Sequence, residues 1–162
     1  MKLFSRMKQK QFDDHQLVAP TAGEIVPITA VPDAVFAQKM MGDGYAVIPS
    51  ADQVVAPING HISFIAATKH GIGITGDTGV ELIVHLGIDT VTLNGAPFDV
   101  MVKLNQAVSA GQPIVTMNRQ VIAAAKLNPI VIVALTNLAE IKQQLTLTPG
   151  SVNAGDLVAT LD

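Results

Sequence analysis

The chain holds four histidines, His15, His61, His70 and His85, and no cysteine. Imidazole is the side chain whose ordinary pKa lies nearest neutrality, so these rings are the first candidates for chemistry. His15 sits in the polar Asp13-Asp14-His15 stretch and His61 follows a turn glycine, so both read as ordinary histidines. His85 differs, because it interrupts the apolar run GVELIVHLGIDTV, Gly79 to Val91. In an extended segment Leu82, Val84, Leu86 and Ile88 share one face, and Glu81, Ile83, His85 and Gly87 share the other. His85 is therefore expected off the core face, beside a small residue and an aliphatic one. His70 stands in Thr68-Lys69-His70-Gly71-Ile72-Gly73-Ile74 and leads into the preceding strand. A hairpin about Asp77-Thr78 would make the two imidazoles near cross-strand neighbours on one face.

Three chemistries fit two facing imidazoles. Neutral rings suit zinc, so His70 and His85 would hold that ion adventitiously, but a working zinc site needs further ligands. There is no HExxH, and neither Glu81 nor Asp89 has typical ligand spacing. General acid–base catalysis suits an imidazole pKa of about 6.5, yet no GxSxG nucleophile motif accompanies it. Covalent catalysis by histidine itself needs one ring as nucleophile and a second to stabilise developing charge. No Walker lysine or glycine-rich phosphate loop appears, which argues against a nucleotide donor.

The elements that must position these rings are mostly short β-branched runs: Glu24–Ile28, Tyr45–Ile48, Ile62–Ile65, Ile72–Thr75, Leu82–His85, Ile114–Met117, Ile130–Leu135 and Leu157–Thr160. Gly, Pro, Asn and Asp punctuate them at turn spacing, predicting an all-β, antiparallel sandwich or flattened barrel. Helices are few and short. Asp33 is placed to cap Ala34–Met40, and Asn118 to cap Arg119–Leu127, which stops at Asn128-Pro129. Two internal echoes point to duplicated hairpin units. Val18-Ala19-Pro20-Thr21-Ala22-Gly23-Glu24-Ile25 matches Val55-Ala56-Pro57-Ile58-Asn59-Gly60-His61-Ile62, and Val108-Ser109-Ala110-Gly111 matches Val152-Asn153-Ala154-Gly155.

With 162 residues and 49% hydrophobic content, one domain over residues 13–162 can bury a real core. Only 14% of residues are charged and mean hydropathy is +0.41, which predicts a broad apolar face for partners. The net charge of −3 argues against nucleic acid. No apolar stretch is long enough to span a bilayer, and no secretory signal is visible. A cytoplasmic monomer is expected. Residues 1–12 form a distinct tail, in which Lys2, Arg6, Lys8 and Lys10 surround Leu3, Phe4 and Met7. They read either as a flexible, solvated end or as a weak contact to the inner membrane face.

The stretch Gly79–Val91 resembles the active-site signature of the glucose-type enzyme IIA of the bacterial phosphoenolpyruvate:sugar phosphotransferase system. Thr68-Lys69-His70 with Gly71–Ile74 resembles that family's second-histidine segment. Val18-Ala19-Pro20, Gly23-Glu24-Ile25, Pro32–Ala37 and Gly42-Asp43-Gly44 extend the likeness over nearly the whole chain. Gly71, where alanine is common, and Pro97, within a usually glycine-rich stretch, are departures. The resemblance implies a phosphoryl carrier between phosphocarrier HPr and an enzyme IIB cysteine, with no required cofactor. His85 would carry the phosphoryl group and His70 would hydrogen-bond it. Thr68 would steady His70, and Gly87 would leave room for the donor and fix the His85 tautomer. Asp33, Phe36, Ala66, Ile83, Asp89 and Val91 would form the partner surface; Asp89 is open to a second reading as a turn cap. Two other classes stay in view: a zinc hydrolase of the cell-wall peptidase kind, which wants an HxH pair absent here, and a non-catalytic regulatory module.

Overall fold

The computed structural model describes residues 11–162. Among these residues fourteen strands are joined by turns and a few short helices. They are β1 (Gln16–Val18), β2 (Gly23–Pro27), β3 (Asp43–Pro49), β4 (Gln53–Val55), β5 (Gly60–Ile65), β6 (Gly71–Gly76), β7 (Glu81–Leu86), β8 (Phe98–Val100), β9 (Ala107–Val108), β10 (Pro113–Met117), β11 (Val131–Leu135), β12 (Leu145–Leu147), β13 (Gly150–Val152) and β14 (Leu157–Leu161). The helices are α1 (Ala34–Ala37), α2 (Arg119–Ala124) and α3 (Leu138–Ile141), with 3₁₀ turns at Ile28–Ala30 and Thr90–Leu93.

Among the described residues all pairing is antiparallel. An eight-stranded sheet runs β13-β2-β3-β11-β7-β6-β5-β9, and two three-stranded sheets run β1-β14-β12 and β4-β10-β8. The small sheets pack on one face of the large one: Leu17, Val54, Phe98, Ile114 and Val158 share a core with Ile25, Tyr45, Ile62, Ile74, Val84 and Val133. This is the expected sandwich, with the sheets open rather than closed into a barrel. The opposite face of the large sheet carries a second, smaller core. There Ile28, Val31 and Phe36 cover Ala46, Ile132 and Ala134. β11 is consequently buried on both faces, which is why its sequence is an unbroken apolar run.

The internal echoes correspond to a two-fold relation between halves. Val18 N donates to Pro57 O at 2.9 Å and Val55 N to Pro20 O at 2.7 Å. Gly111 N donates to Ala56 O at 2.8 Å and Gly155 N to Ala19 O at 2.9 Å. β1-β2-β3-β11-β12-β13-β14 and β4-β5-β6-β7-β8-β9-β10 occupy matching places in the sheets, the second set inserted between β3 and β11 of the first. The β7–β11 pair lies at the seam, where Val84 faces Val133.

Both predicted long helices are shorter than expected. α1 ends before Lys39 and α2 before Lys126, each in the left-handed region (φ 59° and 62°). A six-residue backward bond then closes each end, Met40 N to Val35 O and Leu127 N to Ile122 O. The strand expected through Ile28 stops at Pro27, where the 3₁₀ turn begins. The unforeseen strands are two- and three-residue pieces in turn-rich sequence, held by register rather than by their own pattern. Of the expected N-terminal tail, residues 1–10 lie outside the described residues. At its other end the Phe12 carbonyl accepts from Asn59 Nδ2 at 2.7 Å. Among the described residues no helix is long and apolar enough to cross a membrane.

Candidate active site

β7 delivers His85 as alternation predicts. Leu82, Val84 and Leu86 are buried in the main core, while Ile83 and His85 are half-exposed on the outer face. Gly71 and Ile132 flank His85 on the neighbouring strands. Its Nδ1 lies 2.8 Å from the carbonyl of Gly87. A carbonyl can only accept, so Nδ1 carries the proton and Nε2 keeps the free electron pair. Gly87 has φ 81°, and a methyl group there would meet the Thr90 Cγ2 at 2.5 Å and the Asn128 carbonyl at 3.0 Å. Glycine is required at this position by both conformation and space.

His70 reaches the same place differently from the expected hairpin. The register pairs Gly71, not His70, with His85, and the hairpin centres on Thr78. Ile72 and Ile74 point into the core, so strict alternation would have sent His70 with them. His70 instead precedes β6, after the left-handed Lys69 (φ 63°), and this bend frees its ring for the outer face. The two imidazoles stand edge to face, centroids 5.3 Å apart at 83°. The backbone is locked alongside, Leu86 N donating to His70 O at 2.7 Å. Thr68 Oγ1 lies 2.6 Å from His70 Nδ1.

The rings open into a depression of about 290 Å³ lined by Asp33, Val35, Phe36, Met41, His70, His85, Asp89, Thr90 and Val91. Phe36 packs its ring 5.0 Å from that of His85. Burial lowers the His85 pKa and the neighbouring His70 lowers it further, against the raising influence of the Gly87 carbonyl, Asp33 and Asp89. Burial also lowers that of His70. Both shifts favour the neutral imidazole, the form in which a ring nitrogen can act as a nucleophile.

Asp33 does two things at once. Its Oδ1 caps α1 through Val35 N at 2.9 Å, and it lines the depression. Asp89 occupies the cap position of the 3₁₀ turn in a left-handed conformation (φ 62°), but its side chain makes no capping bond. The turn is closed instead by the Asp89 carbonyl, which accepts from Thr92 N at 3.3 Å and Thr92 Oγ1 at 2.8 Å. Ala66 and Ile83 lie outside the depression: Ala66 is buried at the turn bearing Thr68, and Ile83 lies two residues along β7 from His85. The exposed apolar side chains that line the depression are instead Val35 and Val91. Val35, Met41 and Thr90 were not expected as site residues. Thr90 was the most legible of them, a hydroxyl in an apolar stretch; it is buried and donates to the Leu86 carbonyl. Among the described residues no cluster of three or more His, Cys, Asp or Glu is arranged for a metal ion.

Residues 15–141 match the family of the phosphoenolpyruvate-dependent sugar phosphotransferase system, EIIA 1. The chain belongs to this family. A glucose-specific EIIA component of Staphylococcus aureus (strain COL) is 43% identical over 143 residues, covering 86% of each chain. The corresponding component of strain MSSA476 is 42% identical over the same length. The solved glucose permease IIA of Mycoplasma capricolum superposes with a TM-score of 0.78 at 33% identity, over 89% of this chain and 93% of that one. The resemblance carried by the two histidine segments is thus established at family level, and this EIIA protein has a phosphocarrier role in sugar uptake by the phosphotransferase system.

Proposed function

We propose that His85 Nε2 accepts the phosphoryl group from phosphorylated HPr and passes it to the cysteine of an enzyme IIB domain. The observation that carries this is the bond from His85 Nδ1 to the Gly87 carbonyl, which leaves the electron pair of Nε2 free for attack. In the first step the Nε2 electron pair forms a bond to phosphorus as the donor histidine's P–N bond breaks. In the second the cysteine thiolate attacks and Nε2 leaves with its electron pair. Neither step needs general acid–base work, so the protein's task is placement and charge stabilisation. With the Thr68 hydroxyl donating to Nδ1, His70 holds its proton on Nε2 and offers it to the phosphoryl oxygens.

The depression suits a carrier that must meet two proteins. Val35 and Val91 present apolar surface, and Asp33 and Asp89 offer negative charge to a basic donor. Closure of a partner over this apolar ground would keep water from phosphohistidine. The protein would act as a cytoplasmic monomer, or at the inner face of the membrane beside its permease. No metal is required in this scheme. Zinc held by His70 and His85 would occupy the nucleophilic nitrogen, so a chelator should leave uptake unchanged or raise it. Incubation with phosphoenolpyruvate, enzyme I and HPr, read by intact mass, tests the reading. One added phosphoryl group, acid-labile and absent from His85→Ala, is expected. Uptake lost on chelation and restored by zinc, beyond the Mg²⁺ that enzyme I needs, would overturn it.

A further inference from the structure

The tautomer of His85 depends on one acceptor, the Gly87 carbonyl, and that acceptor has to be held still. A peptide unit is planar and trans, so the Gly87 C=O and the Ile88 N–H form one rigid plate pointing in opposite directions. Ile88 N donates to the Asn128 carbonyl at 2.9 Å, and Gly87 N donates to the Ile130 carbonyl at 2.8 Å. Both acceptors belong to the Asn128-Pro129-Ile130 segment. The Asn128 side chain closes that segment into a turn, its Oδ1 accepting from Ile130 N at 2.9 Å. The approach is tight, as the 3.0 Å between the Asn128 carbonyl and a methyl built on Gly87 shows. Asn128 itself is exposed, so core packing gives no reason for it.

We propose that Asn128 is a positioning residue for His85: its side chain shapes the 128–130 turn, the turn clamps the Gly87–Ile88 peptide, and that peptide sets the tautomer and direction of the imidazole. The chain of contacts is continuous and every link is a hydrogen bond of 2.8–2.9 Å. An asparagine before proline would otherwise read only as a helix stop after α2. The proposal deepens the reading of His85 as phosphoryl acceptor and rests on it for its kinetic consequence, whereas its claim about the ring can be measured alone.

Histidine ring ¹⁵N shifts report the tautomer directly. Wild-type protein above the His85 pKa is expected to show a protonated Nδ1 and an unprotonated Nε2. Asn128→Ala should average the two nitrogens and slow phosphoryl uptake from phosphorylated HPr about tenfold, as loss of an orienting partner behind a working histidine does. Asn128→Ser keeps an oxygen able to close the turn and should restore both readouts. Asn128→Gln retains the amide but sets it one methylene too far, and stands in should the alanine variant fail to fold. Asn118→Ala removes the cap at the other end of α2, far from Gly87, and should change neither. Wild-type shifts and rate in both Asn128→Ala and Asn128→Gln, or the same tautomer change in Asn118→Ala, would overturn the proposal. A tautomer that moves in a protein taking up no phosphoryl group would overturn the acceptor reading and leave the positioning role standing.

Discussion

The two halves of this molecule share a template and use it differently. Following the register from Gly23 and from Gly60 across the large sheet, Gly44 corresponds to Gly71, Asp43 to His70, and Ala134 to His85. The inward residues stay apolar in both halves, Val47 with Ile74, Val131 with Leu82 and Val133 with Val84. What differs is the connection before the second strand of each hairpin. Between β5 and β6 it is the tight turn over residues 66–70, which brings Thr68 and His70 to the surface. Between β2 and β3 it is the long excursion over 28–42, which lies on the outer face and buries Ala46, Ile132 and Ala134 beneath Ile28, Val31 and Phe36. Alanines allow that segment to sit down on the sheet. Its edge then becomes a wall of the depression over the other half. One connection closes one copy of the surface and, by closing it, shapes the open copy. The site belongs to the seam rather than to either repeat.

The equivalent glycines give the largest expected contrast. A methyl on Gly44 would stand 1.9 Å from the Val133 carbonyl, whereas one on Gly71 would meet only the Ala66 side chain at 4.0 Å. Gly44→Ala should cost more than about 3 kcal/mol in chemical denaturation, and Gly71→Ala less than about 0.5 kcal/mol. Equal costs would mean that the halves have not diverged at this point. Gly87→Ala comes next. The methyl collides with Thr90 and the Asn128 carbonyl, so the Gly87 carbonyl should leave His85 and phosphoryl uptake should fall at least about tenfold. Uptake at the wild-type rate would remove the tautomer from the account.

A pH titration sharpens the electrostatic side of the comparison. The His85 pKa is depressed by burial and by His70, so uptake should hold steady above about pH 6.5 and decline only in more acidic solution. Asp33 and Asp89 both raise it, so Asp33→Asn with Asp89→Asn should move the decline to lower pH still. A depressed imidazole contributes stability that is present above the unfolded-state pKa and lost as pH falls through the folded value. Ring-proton titration by NMR measures this, and a shift to higher pH in the double variant would contradict it. The smallest expected effect is from Thr68→Val, which keeps the shape but removes the hydroxyl beside His70 Nδ1. Transfer to enzyme IIB should slow several-fold, about the worth of one hydrogen bond. An unchanged rate would leave Thr68 with a packing role only.

Much of this was legible in the sequence because period and repeat are local signals. Alternation alone put His85 on the outer face, and the two Val-Ala-Pro segments announced halves that cross-bond through Pro20 and Pro57. The placement of His70 was only half legible. Counting residues to the hairpin turn brought it near His85, but the register runs through Gly71, and the bend at Lys69 that redirects the ring has no signature in the residue type. Val35 and Met41 could not be read at all, because they reach the depression through a connection whose path is set by the surface beneath it. Ala66 and Ile83 came from a family pattern, and here the turn buries one and the strand sets the other aside from the depression. Short strands such as β9 and β13 exist only because a neighbour offers them a register.

The central claim is that the two histidines have separate duties, and measuring the two half-reactions separately tests it most directly. Phosphorylated HPr is mixed with wild-type protein, His85→Ala and His70→Gln, and the product is followed by intact mass before and after enzyme IIB is added. The account predicts no phosphoryl group on His85→Ala, and one on His70→Gln that forms readily but passes to enzyme IIB far more slowly than from wild type. Acid-labile phosphate on His85→Ala, or none on His70→Gln, would contradict it.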